Sequence, residues 1–422
     1  MADILYLTHR IPYPPDKGDK VRSFHILQHL RRRHRVFLGT FIDDPADRQH
    51  LTLLRQWCED VKAVELNPVC ARLTSLRGLL TGEPLSVSHY RHRAMQRWVS
   101  ALVGRGQIDA AVVFSSAVAP AVLESGCAQP LLMDFVDLDS AKWSAYGSAH
   151  GGMRGWVYRR EGRLLADHER RVAARAHCSY FVAEQEMRLF QQGATIGGGP
   201  AKVMGNGVDA QYFDPAQTLA NPFDPGERAI VFTGAMDYWP NIDAVTWFAQ
   251  SVWPELSARH PDLRFHIVGR SPTPEVLALA GPRVRVTGTV PDIRPYLGHA
   301  SVVVAPLRLA RGIQNKVLEA MAMAVPVVAA RTCVQALELT QGDGVRPAES
   351  AQDYRQQIES LLNDHEQSAQ SGQRARDCVV RRFSWDVHLS ILGEDLRTVL
   401  TSRRGHPEPQ GVTSDPTPVR GA

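Results

Sequence analysis

The sequence predicts an α/β protein built from two doubly wound parallel-sheet domains of similar size. Three observations predict it. Short apolar runs alternate with helical patterns along almost the whole chain. The runs are near-continuous in Val, Ile, Leu and Phe, as suits strands covered on both faces. One turn-rich interruption divides the series in two, and a chain of 422 residues is too long for a single core.

In the first half, strands are expected over residues 4–8, 36–41, 61–66, 110–115, 131–136 and 179–183. The loop HRIPYPPDKGD follows the first strand; its prolines and Gly18 make it long and stiff, and KVRSFHILQHL then reads as a helix. Residues 157–176 place Leu and Val at helical spacing among Arg and Glu, which reads as an amphipathic helix facing the core, a membrane or an acceptor. The character changes at VMGNGVDAQYFDP, where glycines, acids and a proline lead into a connection rich in turn residues. A second series follows, with strands expected over 229–234, 264–269, 284–288, 301–306 and 325–330. We therefore expect a first domain at 1–204, a second at 205–382, a closing helix at 383–402 and a disordered tail at 403–422, where Pro, Gly and Thr accumulate.

Composition narrows the class. With 44% hydrophobic and 22% charged residues the chain reads as an ordinary soluble protein. No apolar run approaches the ~18 residues of a membrane span, and the N-terminus lacks the apolar core of a signal peptide, so a cytoplasmic location is expected. Six cysteines occur without a C-x-x-C pair, and the histidines show no metal-ligand spacing. Reduced structural thiols and no bound metal follow. The net charge of +4 is uneven, roughly +7 over the first 180 residues and −3 over the remainder. Such a basic half suits contact with anionic membrane or an acidic acceptor, and also suits plain solvated helix faces. No nucleic-acid motif accompanies it.

In open parallel sheets, ligands bind beyond the carboxyl ends of strands. Residues 311–323, RGIQNKVLEAMAM, follow the expected strand at 301–306. Gly312 loosens the backbone, Lys316 falls in the first turn of a helix, and Glu319 stands three residues on along the same face. A helix N-terminus with a lysine suits phosphate, and a carboxylate suits a ribose diol; the same two residues would also make an ordinary surface pair. Gly234 follows the strand at 229–234 and permits close backbone approach, while Asn241 and Asp243 are placed to cap the helix after it. No G-x-G-x-x-G follows a strand, which argues against a nicotinamide dehydrogenase.

In order along the chain, RIPYPPDKGDK, the D-x-x-D-x-D-S-x-K-W segment from Asp134 to Trp143, GAMDYWPN and RGIQNKVLEAMAM resemble the sugar transferases of exosortase/PEP-CTERM exopolysaccharide systems. NGVD at 206–209 and LEAMAMAVPVV at 318–328 resemble the wider family 4 of retaining glycosyltransferases with the GT-B fold. The resemblance runs to about Leu400. It implies two Rossmann-like domains facing across a cleft, the first binding an acceptor and the second a nucleoside-diphosphate sugar, with the closing helix returning to the first domain. It further implies that Glu319 holds the donor ribose, that Lys316 and the amides of Gly312 and Ile313 face the diphosphate, and that Gly18 lies near donor phosphate or acceptor. Many family members carry a glutamate where this chain has Arg311, so a phosphate contact by Arg311 replaces a sugar contact there. Asp137 or Asp139 would be the acceptor-side acid; either would also serve as a helix cap or as a partner of Lys142.

The expected activity is transfer of a sugar, with retention, from a nucleotide-sugar co-substrate to a glycan or polyprenyl-linked acceptor, with no obligatory metal or other cofactor. A sugar-nucleotide epimerase on the same fold and a non-catalytic nucleotide- or polyanion-binding protein are the alternatives.

Overall fold

The computed structural model describes residues 1–15, 18–66, 82–149, 151–193, 197–308 and 313–404. Arg311, Gly312 and the expected tail from residue 405 lie outside them. The chain divides into two compact units, one formed by Met1–Met204 with the chain from Ser390 onward, the other by Gly205–Leu389.

The first unit holds a seven-stranded parallel sheet in the order β3-β2-β1-β4-β5-β6-β7. The strands are β1 (Asp3–Thr8), β2 (Arg35–Ile42), β3 (Asp60–Glu65), β4 (Ala110–Phe114), β5 (Leu131–Val136), β6 (Cys178–Phe181) and β7 (Ala201–Val203). β1, β4 and β5 are buried over nearly their whole length, as the unbroken apolar runs require. The order reverses between β1 and β4, which pair in register from Ile4 with Ala110 to Thr8 with Phe114.

The second unit holds a six-stranded parallel sheet in the order β10-β9-β8-β11-β12-β13. Its strands are β8 (Arg228–Thr233), β9 (Leu263–Val268), β10 (Val284–Gly288), β11 (Val302–Ala305), β12 (Val327–Ala330) and β13 (Val345–Ala348). The reversal falls between β8 and β11, where Ile230 pairs with Val302 and Val231 with Val303. β13 lies outside the strands expected from sequence. Its VRPA carries Arg346 and Pro347, and an edge position tolerates the proline because one side of the strand needs no ladder bond.

Two helices follow β5, Asp139–Ala149 and Gly152–Arg175. They run antiparallel, with Ser140 beside Glu169, Ser144 beside Gly162 and Gly147 beside Arg159. A Cβ on Gly162 would meet the Ser144 Oγ at 2.4 Å and its backbone N at 2.9 Å, so glycine here sets how closely the helices approach. The closing helix is Trp385–Arg404. Its early residues belong to the second unit. In the first unit its Asp395 accepts hydrogen bonds from the Tyr180 hydroxyl (2.8 Å) and the Lys202 ammonium (2.6 Å), tying it to β6 and β7.

Cys58, Cys127, Cys178, Cys333 and Cys378 are free and buried. No described helix is long and apolar enough to cross a membrane.

Candidate functional site

The strongest gathering of expected site residues lies where the second sheet reverses direction. The helix Asn315–Ala322 follows β11; Val317, Leu318, Ala320, Met321 and Ala322 are buried, which leaves Lys316 and Glu319 on the remaining face. Gln314 precedes the helix in extended backbone and gives it no side-chain cap.

Lys316 is drawn back toward the end of β8. Its Nζ lies 4.4 Å from the centre of the Phe232 ring and donates to the Asn241 Oδ1. Asn241 is itself fixed, since its Nδ2 donates to the Ala235 carbonyl at 2.8 Å. Gly234 completes the arrangement. A Cβ there would stand 2.7 Å from the Asn241 Nδ2 and 2.9 Å from the Lys316 Nζ, so only glycine leaves both groups in place. Behind it, a Cβ on Gly269 would fall 1.6 Å from the Gly234 carbonyl oxygen. That contact is backbone on backbone and has no side chain to move aside.

The charges at this point are costly to hold. Both residues are half-exposed overall, yet burial of their charged ends pushes the Lys316 ammonium down to about 8 and the Glu319 carboxyl up to about 7. Each charge partly offsets the other's shift. Among the described residues Lys316 makes no salt bridge. A cation held by a neutral amide and a ring face, at the mouth of an uncapped helix, is suited to an anion.

One expectation is corrected here. Asn241 does not cap its helix. The helix runs from Trp239 to Ser251 with Pro240 in its first turn, so Asn241 is already inside it and directs its amide to Lys316 and Ala235. Proline at the first positions starts the helix earlier than a cap at Asn241 would. Asp243 likewise does not cap; it receives the Arg308 guanidinium, with Nη2 to Oδ1 at 2.6 Å. Ile313 packs against the apolar core beside the site. Sequence reasoning missed Phe232 as the surface under the ammonium and Gly269 as the close neighbour of Gly234. For Gly269, a glycine directly after a strand was the available signal; for Phe232 there was none, since a strand phenylalanine reads only as core.

The remaining expected residues lie in the first unit. Gly18 opens the helix Gly18–Arg31, and a Cβ there would meet nothing within 4 Å, so packing does not demand a glycine. Asp137 is exposed and Asp139 half-buried at the start of its helix. Local desolvation of the carboxyl raises both, at Asp137 despite the exposure of the residue as a whole, and Glu186 with Asp139 adds to the rise at Asp137. Neither forms a salt bridge with Lys142 among the described residues. The backbone just before them is strained: Val136 has φ of 67°, a region that β-branched residues rarely occupy. Ser115, at the end of β4, has φ of 77° and donates its N–H to the Asp134 carbonyl at 2.9 Å.

Around the reversal of the first sheet stands a dense polar network that sequence reasoning did not find. His9 stacks on Phe114 with centroids 5.5 Å apart, and its Nε2 lies 3.4 Å from an Asp19 oxygen. Arg10 bridges Asp19 (2.5 Å) and Asp43 (2.8 Å). Beneath them, Arg22 and Asp134 form a bidentate pair at 2.8 and 3.0 Å, and Lys20 reaches Asp47 at 2.9 Å, with both cations about 1% exposed.

Residues 227–364 match the family model of group 1 glycosyl transferases. No curated protein matches the sequence. Among solved structures, HepE of Anabaena in complex with UDP is similar over 94% of this chain and 100% of that one, at 17% identity and a TM-score of 0.62. Sucrose-phosphate synthase from Thermosynechococcus elongatus is similar over 95% and 100%, at 14% identity and a TM-score of 0.64. TarM is similar over 94% and 99%, at 11% identity and a TM-score of 0.63. The fold is that of the GT-B glycosyltransferases, and the matched segment puts a glycosyltransferase domain in the second unit, spanning Gly234, Asn241, Lys316 and Glu319.

Proposed function

We propose that the protein is a retaining, family 4 glycosyltransferase that moves a sugar from a nucleoside-diphosphate donor to a glycan or polyprenyl-linked acceptor at the inner face of the cytoplasmic membrane, in exopolysaccharide synthesis of the exosortase-associated kind. The observation that carries this reading is the position of Lys316, turned toward Gly234 by Asn241 at the reversal of the second sheet, with Glu319 one turn behind it. HepE, which shares the fold, has been solved with UDP and with UDP-glucose.

In this proposal the donor diphosphate lies across the first turn of the helix Asn315–Ala322. Lys316, the first-turn N–H groups and Arg311 take up the charge that grows on the departing diphosphate. Glu319 accepts hydrogen bonds from the ribose hydroxyls. Asp137 or Asp139 is the acceptor-side acid, and desolvation raises the carboxyl of each above the usual carboxylate range. The sugar passes through an oxocarbenium-like state while the acceptor hydroxyl attacks from the face that the diphosphate leaves, which preserves configuration. Cationic side chains supply the neutralisation that a metal would otherwise give, so chelators should not abolish activity.

The test is calorimetric titration of UDP, GDP, ADP and dTDP into the protein and into Lys316→Ala and Glu319→Ala. One diphosphate should bind, and each variant should lose about 1–3 kcal/mol, the scale of a charged hydrogen bond. Equal binding by parent and variants would remove the assignment. Anomeric analysis of the product then reads retention directly, and conversion of a nucleotide sugar without acceptor would point to an epimerase instead.

A further inference from the structure

We propose that the tip of the helical hairpin Asp139–Ala149 and Gly152–Arg175 docks the protein onto an anionic lipid bilayer. The tip is unlike the rest of the first unit's surface. Met153 is 84% exposed and Trp156 55%, with Tyr146 behind them 44% exposed. Leaving large apolar side chains in water is unfavourable unless something covers them.

The hairpin holds them away from the sheet. Its last anchors are two carboxylates on the longer helix. Glu169 accepts from the Ser140 N–H at 3.1 Å and hydroxyl at 2.5 Å, at the carboxyl end of β5. Glu161 accepts from the Leu85 N–H at 2.8 Å and from the Ser86 N–H and hydroxyl at 2.9 and 2.7 Å. Met153 stands a further eight residues along the helix, about 12 Å beyond Glu161. The projection is stiff. Gly147 packs directly on the Arg159 backbone, Gly162 on Ser144, and the Arg159 guanidinium donates to the Gly147 carbonyl at 2.8 Å. Trp143, Tyr146 and Tyr158 form a ring cluster behind the tip, with centroids 5.3 to 6.1 Å apart.

Charge selects the occupant. From Gly147 to Arg160, the stretch that Gly147 and Arg159 close off, the chain carries Arg154, Arg159 and Arg160 and no aspartate or glutamate. Trp and Tyr settle at the level of lipid headgroups, where a ring is half in hydrocarbon and half in water, and Arg and Lys beside them meet lipid phosphate. A second copy of the same tip is a poor partner, because it would bring six arginines together with no acid between them.

The experiment is flotation of the full chain with phosphatidylcholine vesicles, with and without phosphatidylglycerol. Two variants accompany it, the double Met153→Ser with Trp156→Ser and the single Arg154→Glu. All three positions are exposed, so both variants should fold. The parent should float with the anionic vesicles and lose that binding in high salt, and each variant should lose it by about tenfold or more. UDP titration should be unchanged in both, which separates this surface from the donor site. Failure of the parent to float, or retention of binding by either variant, would overturn the proposal. So would a concentration-dependent oligomer in sedimentation velocity that the variants dissolve, since that outcome assigns the tip to a protein interface.

Discussion

The two sheet reversals treat their cations in opposite ways. At the β1/β4 reversal every basic group in the polar network faces an acid of the same unit: Arg22 faces Asp134, Lys20 faces Asp47, and Arg10 lies between Asp19 and Asp43. At the β8/β11 reversal Lys316 has a neutral amide, a ring face and the longer-range field of Glu319. Internally paired charges hold a structure in one shape but have little left for a ligand. A lysine kept short of full compensation is the reverse, costly for the empty protein and available to an anion. The first cluster is thus architectural, and the second has the character the proposed donor site requires.

Mutation should separate the two roles, and the largest effect belongs to the first reversal. Asp134→Ala leaves the Arg22 guanidinium buried without its bidentate partner and should lower stability by about 3–5 kcal/mol in urea unfolding. Lys316→Met, by contrast, should leave the unfolding free energy within about 1 kcal/mol of the parent while removing most UDP affinity. If Lys316→Met unfolds the protein as readily as Asp134→Ala does, the contrast between the two sites is false. Gly269→Ala comes next. Its methyl would sit against the Gly234 carbonyl, so a stability loss of about 1–3 kcal/mol with weaker diphosphate binding is expected, and no change in either would mean that this turn relaxes freely.

A smaller effect is set by pH. The Glu319 carboxyl at about 7 must lose its proton to accept ribose hydroxyls, so diphosphate affinity should rise with pH through that value. The Lys316 ammonium at about 8 must keep its proton to meet phosphate, so affinity should fall as pH rises through that one. A maximum between the two, read by calorimetry, should lose its acid limb in Glu319→Gln and its alkaline limb in Lys316→Arg. The smallest effect is at the surface. Arg188→Ala removes an exposed i,i+4 pair with Glu184 and should change stability by less than about 0.5 kcal/mol.

The sequence by itself determined the class of the fold, because strands buried on both faces must be apolar throughout and helices between them must be amphipathic; those patterns are local and survive without knowledge of what packs on what. It also singled out Lys316, Glu319 and Gly234 as candidates, since a glycine after a strand and a lysine in a first turn are local signals as well. It could not supply β13, whose proline is acceptable only at a sheet edge, nor the true role of Asn241, which depends on a lysine 75 residues further on. The Arg22–Asp134 pair, 112 residues apart, and the hairpin tip that carries Trp156 were decided by tertiary structure alone. Ion pairs and exposed patches arise from which surfaces come together in space, and no periodicity along a chain records that.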